Sequence, residues 1–157
     1  MSTVSVAGTR VTMADSMECN IENLKTGDQI LSYNLDRKTV EPAKIMGLTH
    51  VIHENLVKLD FGSVQIISTE DHPYFVAGQG WCSVAPERTK VYPGFGKIGK
   101  LEVGTQVSCL DSKGNLSQLT LKQIDRTSRP EETYTITKLD RNRSFFANGL
   151  LVGVEEL

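Results

Sequence analysis

The heptapeptide Leu24-Lys25-Thr26-Gly27-Asp28-Gln29-Ile30 returns as Leu101-Glu102-Val103-Gly104-Thr105-Gln106-Val107, with the same apolar ends and the same central glycine. Each copy is followed by a strand-like stretch, a turn near Asp36 or Asp111, and a longer strand. A second echo sets Tyr74-Phe75-Val76-Ala77-Gly78 against Phe145-Phe146-Ala147-Asn148-Gly149 and places His72 opposite Arg143. Self-similarity of this kind signals one supersecondary unit used twice. The chain is therefore read as two copies of a β-unit fused into one domain. The stretch 85–100, rich in Gly, Pro, Lys and Arg, is read as a long exposed loop joining them.

The units are strands. Gln29 to Tyr33 and Val40 to Leu48 flank the turn Asn34-Leu35-Asp36-Arg37. Leu56 to Leu59 and Val64 to Ser68 flank Asp60-Phe61-Gly62-Ser63. Further strands are expected at Arg10 to Met13, Trp81 to Val84, Gln106 to Leu110, Leu116 to Ile124, Thr133 to Thr137, Phe145 to Ala147 and Leu150 to Val152. Ile21 to Leu24 has room for one helical turn before Gly27 ends it. No segment sustains a 3.6-residue apolar period, so the fold class is all-β.

Composition sets the outer limits. At 157 residues the chain suits a single domain, large enough to bury a core without metal or disulfide support. A net charge of −2 gives no basic footprint for nucleic acid. No apolar run reaches a membrane span, and no signal peptide is present, so a soluble chain is expected and its location stays open. Cys19, Cys82 and Cys109 fit neither a zinc pattern nor a disulfide framework and read as small hydrophobes. His50 and His53 are read as sharing a strand face, but without a third ligand, so no metal is expected.

Some stretches carry chemistry. Gly94-Phe95-Gly96-Lys97-Ile98-Gly99 has the form G-x-G-x-x-G. It follows Pro93 and precedes a strand, which is the wrong setting for a dinucleotide, and no cofactor is expected. The apolar run ending in Thr69-Glu70-Asp71-His72-Pro73 places a hydroxyl and an imidazole where a strand leaves its sheet. Histidine can take and return a proton near neutral pH. Ser5-Val6-Ala7-Gly8-Thr9 offers a small nucleophile whose own backbone carries the carbonyl of Val4 within reach. Asn148-Gly149 is a hairpin turn signal.

Taken in order, these blocks resemble the Hint superfamily: inteins, bacterial intein-like domains and the Hedgehog autoprocessing domain. Ser5-Val6-Ala7-Gly8-Thr9 is similar to the family's opening Cys-x-x-Gly-Thr. Ile21 to Asp28 is similar to its Ile-x-x-Leu-x-x-Gly-Asp run. Thr69-x-x-His72-Pro73 resembles the catalytic block, and Phe145 to Val152 the C-terminal block. The resemblance spans Ser5 to about Val152 and is nearest to the intein-like domains that lack a terminal His-Asn. It implies a horseshoe with pseudo-two-fold symmetry, its two ends meeting near Thr69 and His72.

The resemblance also implies an activity: single-turnover self-processing by an acyl shift at the Val4–Ser5 bond. Ser5 would be the nucleophile, His72 would contact and protonate the amide nitrogen, and Thr69 would orient the bond or hold the oxyanion. Asp140 and Arg143 are candidate assistants. The substrate is the chain's own flank, and water, a thiol or an amine resolves the ester. No nucleic acid or membrane partner is implied, and the domain is expected to act as a monomer. Residues 1–4 are read as an N-terminal flank, 5–154 as the domain, and 155–157 as a C-terminal flank.

Two departures bear on activity. Ser5 stands where cysteine is usual, so it is either a slow natural nucleophile or a replacement that traps the precursor. Gly153 and Val154 stand where splicing members end in His-Asn, and Arg143 occupies the place of a helper histidine. Efficient splicing is therefore not expected. The rival reading is a degenerate Hint fold kept as a binding or scaffold module.

Overall fold

The computed structural model describes residues 4–92 and 94–154. Residues 1–3 of the N-terminal flank expected at 1–4, the flank expected at 155–157, and Pro93 lie outside them. In chain order the strands are β1 (Ser5–Val6), β2 (Arg10–Thr12), β3 (Glu18–Asn20), β4 (Gln29–Asn34), β5 (Thr39–His53), β6 (Leu56–Asp60), β7 (Gln65–Thr69), β8 (Tyr74–Val76) and β9 (Gly80–Ser83). The four-residue helix α1 (Pro86–Thr89) follows. Then come β10 (Gly99–Lys100), β11 (Gln106–Leu110), β12 (Leu116–Thr120), β13 (Gln123–Thr127), β14 (Glu131–Leu139), β15 (Ser144–Ala147) and β16 (Leu150–Gly153). A single 3-10 turn covers Ile21–Asn23. The fold is all-β, as expected from the sequence.

One sheet runs β13-β6-β7-β1-β14-β5-β4. The other runs β10-β9-β8-β16-β15-β2-β3, with β11 joined to β16 and β12 to β11. The two heptapeptides fold alike. Gly27 and Gly104 both take φ +99. Gly27 N–H donates to Ile45 O and Gly104 N–H to Leu121 O, each at 2.8 Å. Asp28 N–H reaches back to Lys25 O, and Thr105 N–H to Glu102 O. Only glycine takes this positive φ without strain, which is why the glycine recurs in both copies. The Tyr74–Val76 and Ser144–Ala147 strands likewise each open a hairpin, and the hairpins join through Val152 opposite Tyr74.

β5 runs well past the expected Leu48, because it serves two partners. Thr39 to Lys44 pairs with β4, and Ile45 to His53 pairs with β14. Pro42 sits in the part paired with β4 alone, where its missing N–H breaks no second ladder. His50 and His53 are three residues apart on this strand, so they point to opposite faces and not to a shared one. Among the described residues no group of His, Cys, Asp and Glu could hold a metal ion. None of the helices there is long and apolar enough to cross a membrane.

Two further expectations are corrected. Leu116 to Ile124 is not one strand. Leu121 N–H donates to Thr105 O and Lys122 N–H to Asp60 O, so the chain crosses from one sheet to the other at this point. The stretch 85–100 is not simply an exposed loop. Its Thr89, Tyr92 and Phe95 are buried. Phe95 meets Trp81 edge-on with centroids 5.7 Å apart, and Arg143 lies over the Phe95 ring at 5.3 Å. This aromatic anchoring, a geometry worth about 1 kcal/mol per pair beyond area burial, was hidden by the surrounding Gly and Lys.

Candidate active site

β1, which carries Ser5, is the middle strand of the first sheet. β1 is two residues long, with Ser5 paired to Ser68 of β7 on one side and to Tyr134 of β14 on the other. Gly8, at φ +90, turns the chain out of β1, and Thr9 closes the turn onto Val6 O through both its N–H and its hydroxyl. This is the structural reason for the Gly-Thr pair of the opening block.

The residue before Ser5 is held by Thr69 at both ends. Val4 N–H donates to Thr69 Oγ1 at 3.1 Å, and Thr69 N–H donates to Val4 O at 3.1 Å. Val4 is buried. Its carbonyl, the acyl group of the Val4–Ser5 bond, thus already faces a backbone N–H donor in the resting chain. Ser5 is fully buried, and its Oγ has no hydrogen-bond partner among the described residues. A buried hydroxyl left unpaired costs about 1–3 kcal/mol. A thiol, a weaker donor, forfeits less in the same position.

His72 lies in the turn just after Thr69, with its N–H on Thr69 O at 3.2 Å. The ring is buried, its Nδ1 is 3.4 Å from Pro73 O, and it packs on Tyr74 with centroids 5.5 Å apart. Because a carbonyl only accepts, Nδ1 carries the proton in that contact and Nε2 keeps its lone pair. Burial pulls the imidazole down to about 4, so it is neutral at pH 7. Among the described hydrogen bonds none joins this ring to the Val4–Ser5 amide, the contact expected from the sequence.

The C-terminal strand ends against the same turn. Gly153 N–H donates to Pro73 O at 3.0 Å, and Val154 N–H to Arg143 O at 2.9 Å. The His72 and Arg143 turns, opposed in the repeat, therefore hold two consecutive residues at the exit of β16. The Arg143 side chain goes to Phe95. Asp140 serves the β5–β14 end: its carboxylate accepts from Lys44 N–H at 2.8 Å. It lies six residues beyond Tyr134, up to about 20 Å along an extended strand. The structure thus groups Val4, Ser5, Thr69 and His72 on neighbouring elements and gives Asp140 and Arg143 other partners.

Other polar groups here escaped the sequence reading. Asp71 is buried, its Oδ1 has no partner among the described residues, and desolvation raises its carboxyl above the ordinary value against the opposing pull of the Thr69 hydroxyl. Ser68 and Tyr74 are buried and share a 2.7 Å hydrogen bond. Asn148 does more than turn the chain. Its Oδ1 accepts from Arg10 N–H and its Nδ2 donates to Gln65 O, tying the hairpin to β2 and β7.

The architecture has close counterparts. A bacterial intein-like domain from Clostridium thermocellum is 26% identical, with a TM-score of 0.73 over 96% of this chain and 97% of that one. A DnaB intein from Synechocystis sp. PCC 6803 superposes with a TM-score of 0.78 at 17% identity, covering 98% and 99%. The TvoVMA intein gives 0.75 at 18%, covering 96% of each chain. No curated protein matches by sequence search. A family model described as "Ataxin-1 and HBP1 module (AXH)" matches residues 6–112. The chain is a Hint, intein-like domain by fold, and through residues 6–112 it belongs to the Ataxin-1 and HBP1 module (AXH) family.

Proposed function

We propose that this domain processes its own N-terminal junction by an acyl shift at Val4–Ser5. The observation that carries this reading is the double clamp of Thr69 on Val4, one bond from a buried and unpaired hydroxyl. In the reaction the side chain of residue 5 attacks the Val4 carbonyl carbon while Thr69 N–H holds the developing oxyanion. The neutral His72 is suited to take the nucleophile's proton and to pass it to the leaving nitrogen. One C–N bond breaks, one ester or thioester forms, and residue 5 gains a free amine. Water, a thiol or an amine then releases the upstream segment. Splicing is not part of the proposal, since Gly153 and Val154 offer no side chain for C-terminal cleavage.

The test is a Ser5→Cys variant carrying a small folded domain upstream, followed by intact mass spectrometry with and without dithiothreitol. Release with a cut before residue 5, faster with thiol and abolished by His72→Ala, is the expected outcome. A chain that stays whole over days with its fold intact would move the scaffold reading to the front.

A further inference from the structure

The unpaired Ser5 hydroxyl sits beside a polar pair that the reaction as described does not use. Ser68 is directly opposite Ser5 in the ladder. Directly opposed residues share a sheet face, with Cβ atoms about 4.5–5.5 Å apart. Both serines are fully buried, and Tyr74 is nearly so. Ser68 Oγ is 2.7 Å from Tyr74 Oη and 3.3 Å from Thr69 O. A hydroxyl has one hydrogen and two lone pairs. The Thr69 carbonyl can only accept, so Ser68 gives its hydrogen there and receives one from Tyr74. One lone pair of Ser68 remains open on the face it shares with residue 5. Burial raises the Tyr74 phenol above its ordinary value, which keeps it protonated as the donor.

We infer that Ser68, locked by Tyr74, is the acceptor that orients a thiol at position 5. The inference rests on the reading of residue 5 as the nucleophile. The hydroxyl of Ser5 has no partner among the described residues. A C–S bond is longer and sulfur is larger, so the thiol of a Ser5→Cys chain reaches the open lone pair of Ser68. Donating there in the resting state fixes the position of the sulfur beside the Val4 carbonyl; on attack the thiol proton leaves Ser68 for the neutral His72, which passes it to the leaving nitrogen as in the reaction proposed above. Ser68 and Tyr74 are positioning residues in this scheme, acting through the nucleophile and not on the acyl group.

The experiment compares four chains: Ser5→Cys alone, and Ser5→Cys with Ser68→Ala, Ser68→Thr or Tyr74→Phe. The first readout is the Raman S–H stretch, taken as a difference against the Ser5 chain to remove Cys19, Cys82 and Cys109. The second is the cleavage rate of the upstream domain. In the Ser5→Cys chain the added thiol should give its S–H band at lower frequency than a free thiol. Ser68→Ala should return it to the free position and slow cleavage about tenfold, as loss of one orienting hydrogen bond does. Ser68→Thr, which keeps the hydroxyl, should restore both, and Tyr74→Phe should fall between. A stretch and a rate unmoved by Ser68→Ala would overturn the inference while leaving self-processing intact. If the Ser5→Cys chain does not cleave, the reading of the function fails. The S–H stretch then decides the inference alone, and an unshifted band rejects it.

Discussion

Truncating Ser5 and truncating Ser68 should change stability in opposite directions, although the two are cross-strand neighbours of the same type and both are fully buried. Ser5 Oγ has no hydrogen-bond partner among the described residues. Ser5→Ala removes a buried hydroxyl that has lost water and gained nothing, which relieves about 1–3 kcal/mol. For a domain of this size 1 kcal/mol moves Tm by about 2–4 °C. Tm should therefore rise, by roughly 2–12 °C. Ser68→Ala takes away the 2.7 Å partner of Tyr74 Oη and strands that phenol in the core. It should lower Tm by a similar amount. Differential scanning calorimetry on both variants at pH 7.5 reads the two signs in one experiment, since neither change alters side-chain volume much. If Ser5→Ala lowers Tm by several degrees, the hydroxyl is paired and the reasoning from a free residue-5 side chain beside Ser68 is wrong.

Other expectations follow from the same site. The His72 imidazole is held near 4, below its ordinary 6.5, so the fold binds fewer protons than the unfolded chain between those values. Its contribution is complete above pH 6.5 and is lost on acidification, by about 2 kcal/mol at pH 5 and about 3 at pH 4. Urea titrations at several pH values should show this slope, and His72→Gln should remove it. Asp71, raised by burial, acts with the opposite sign, so Asp71→Asn should stabilise the fold at neutral pH. Thr69→Val keeps the backbone donor to Val4 O but orphans Val4 N–H, and cleavage in the Ser5→Cys background should slow about tenfold. Asp140→Ala, which uncaps Lys44 N–H, should cost about 1 kcal/mol in a denaturant melt with the cleavage rate unchanged. A Cβ on Gly153 would come within 2.6 Å of Phe95 and 2.8 Å of Pro73, so Gly153→Ala should cost about 1–3 kcal/mol of overpacking.

Local rules carried the reading where local physics decides the structure. The duplicated Gly27 and Gly104 turns need positive φ, and Asn148-Gly149 needs it at two consecutive positions, so these elements announce themselves in single residues. Thr69 and His72 stood out because a hydroxyl and an imidazole end an apolar run. What stayed hidden depends on partners far away in sequence. Nothing near Leu121 says that the chain changes sheets there, because the acceptors are Thr105 and Asp60. Phe95 looked like a loop residue until Trp81 and Arg143 supplied its cage. Asp71 was a spacer between two motif positions, and Ser68 an ordinary strand serine. Their meaning comes from burial and from the Ser5 register, which neither neighbour in sequence sets.

That β1 lies between β7 and β14 has a consequence for timing. Ser5 cannot enter its place until Tyr134, its partner on the second side, has left the ribosome. At about 5–20 residues per second the intervening chain takes on the order of 10 s to synthesise. Under the proposed self-processing, a polypeptide upstream of Val4 has that interval to fold while still attached and uncut. After the proposed cut, the new amino terminus would remain a central strand and occupy the place any second substrate would need. The sheet would then act as a delay before that reaction and as a plug after it.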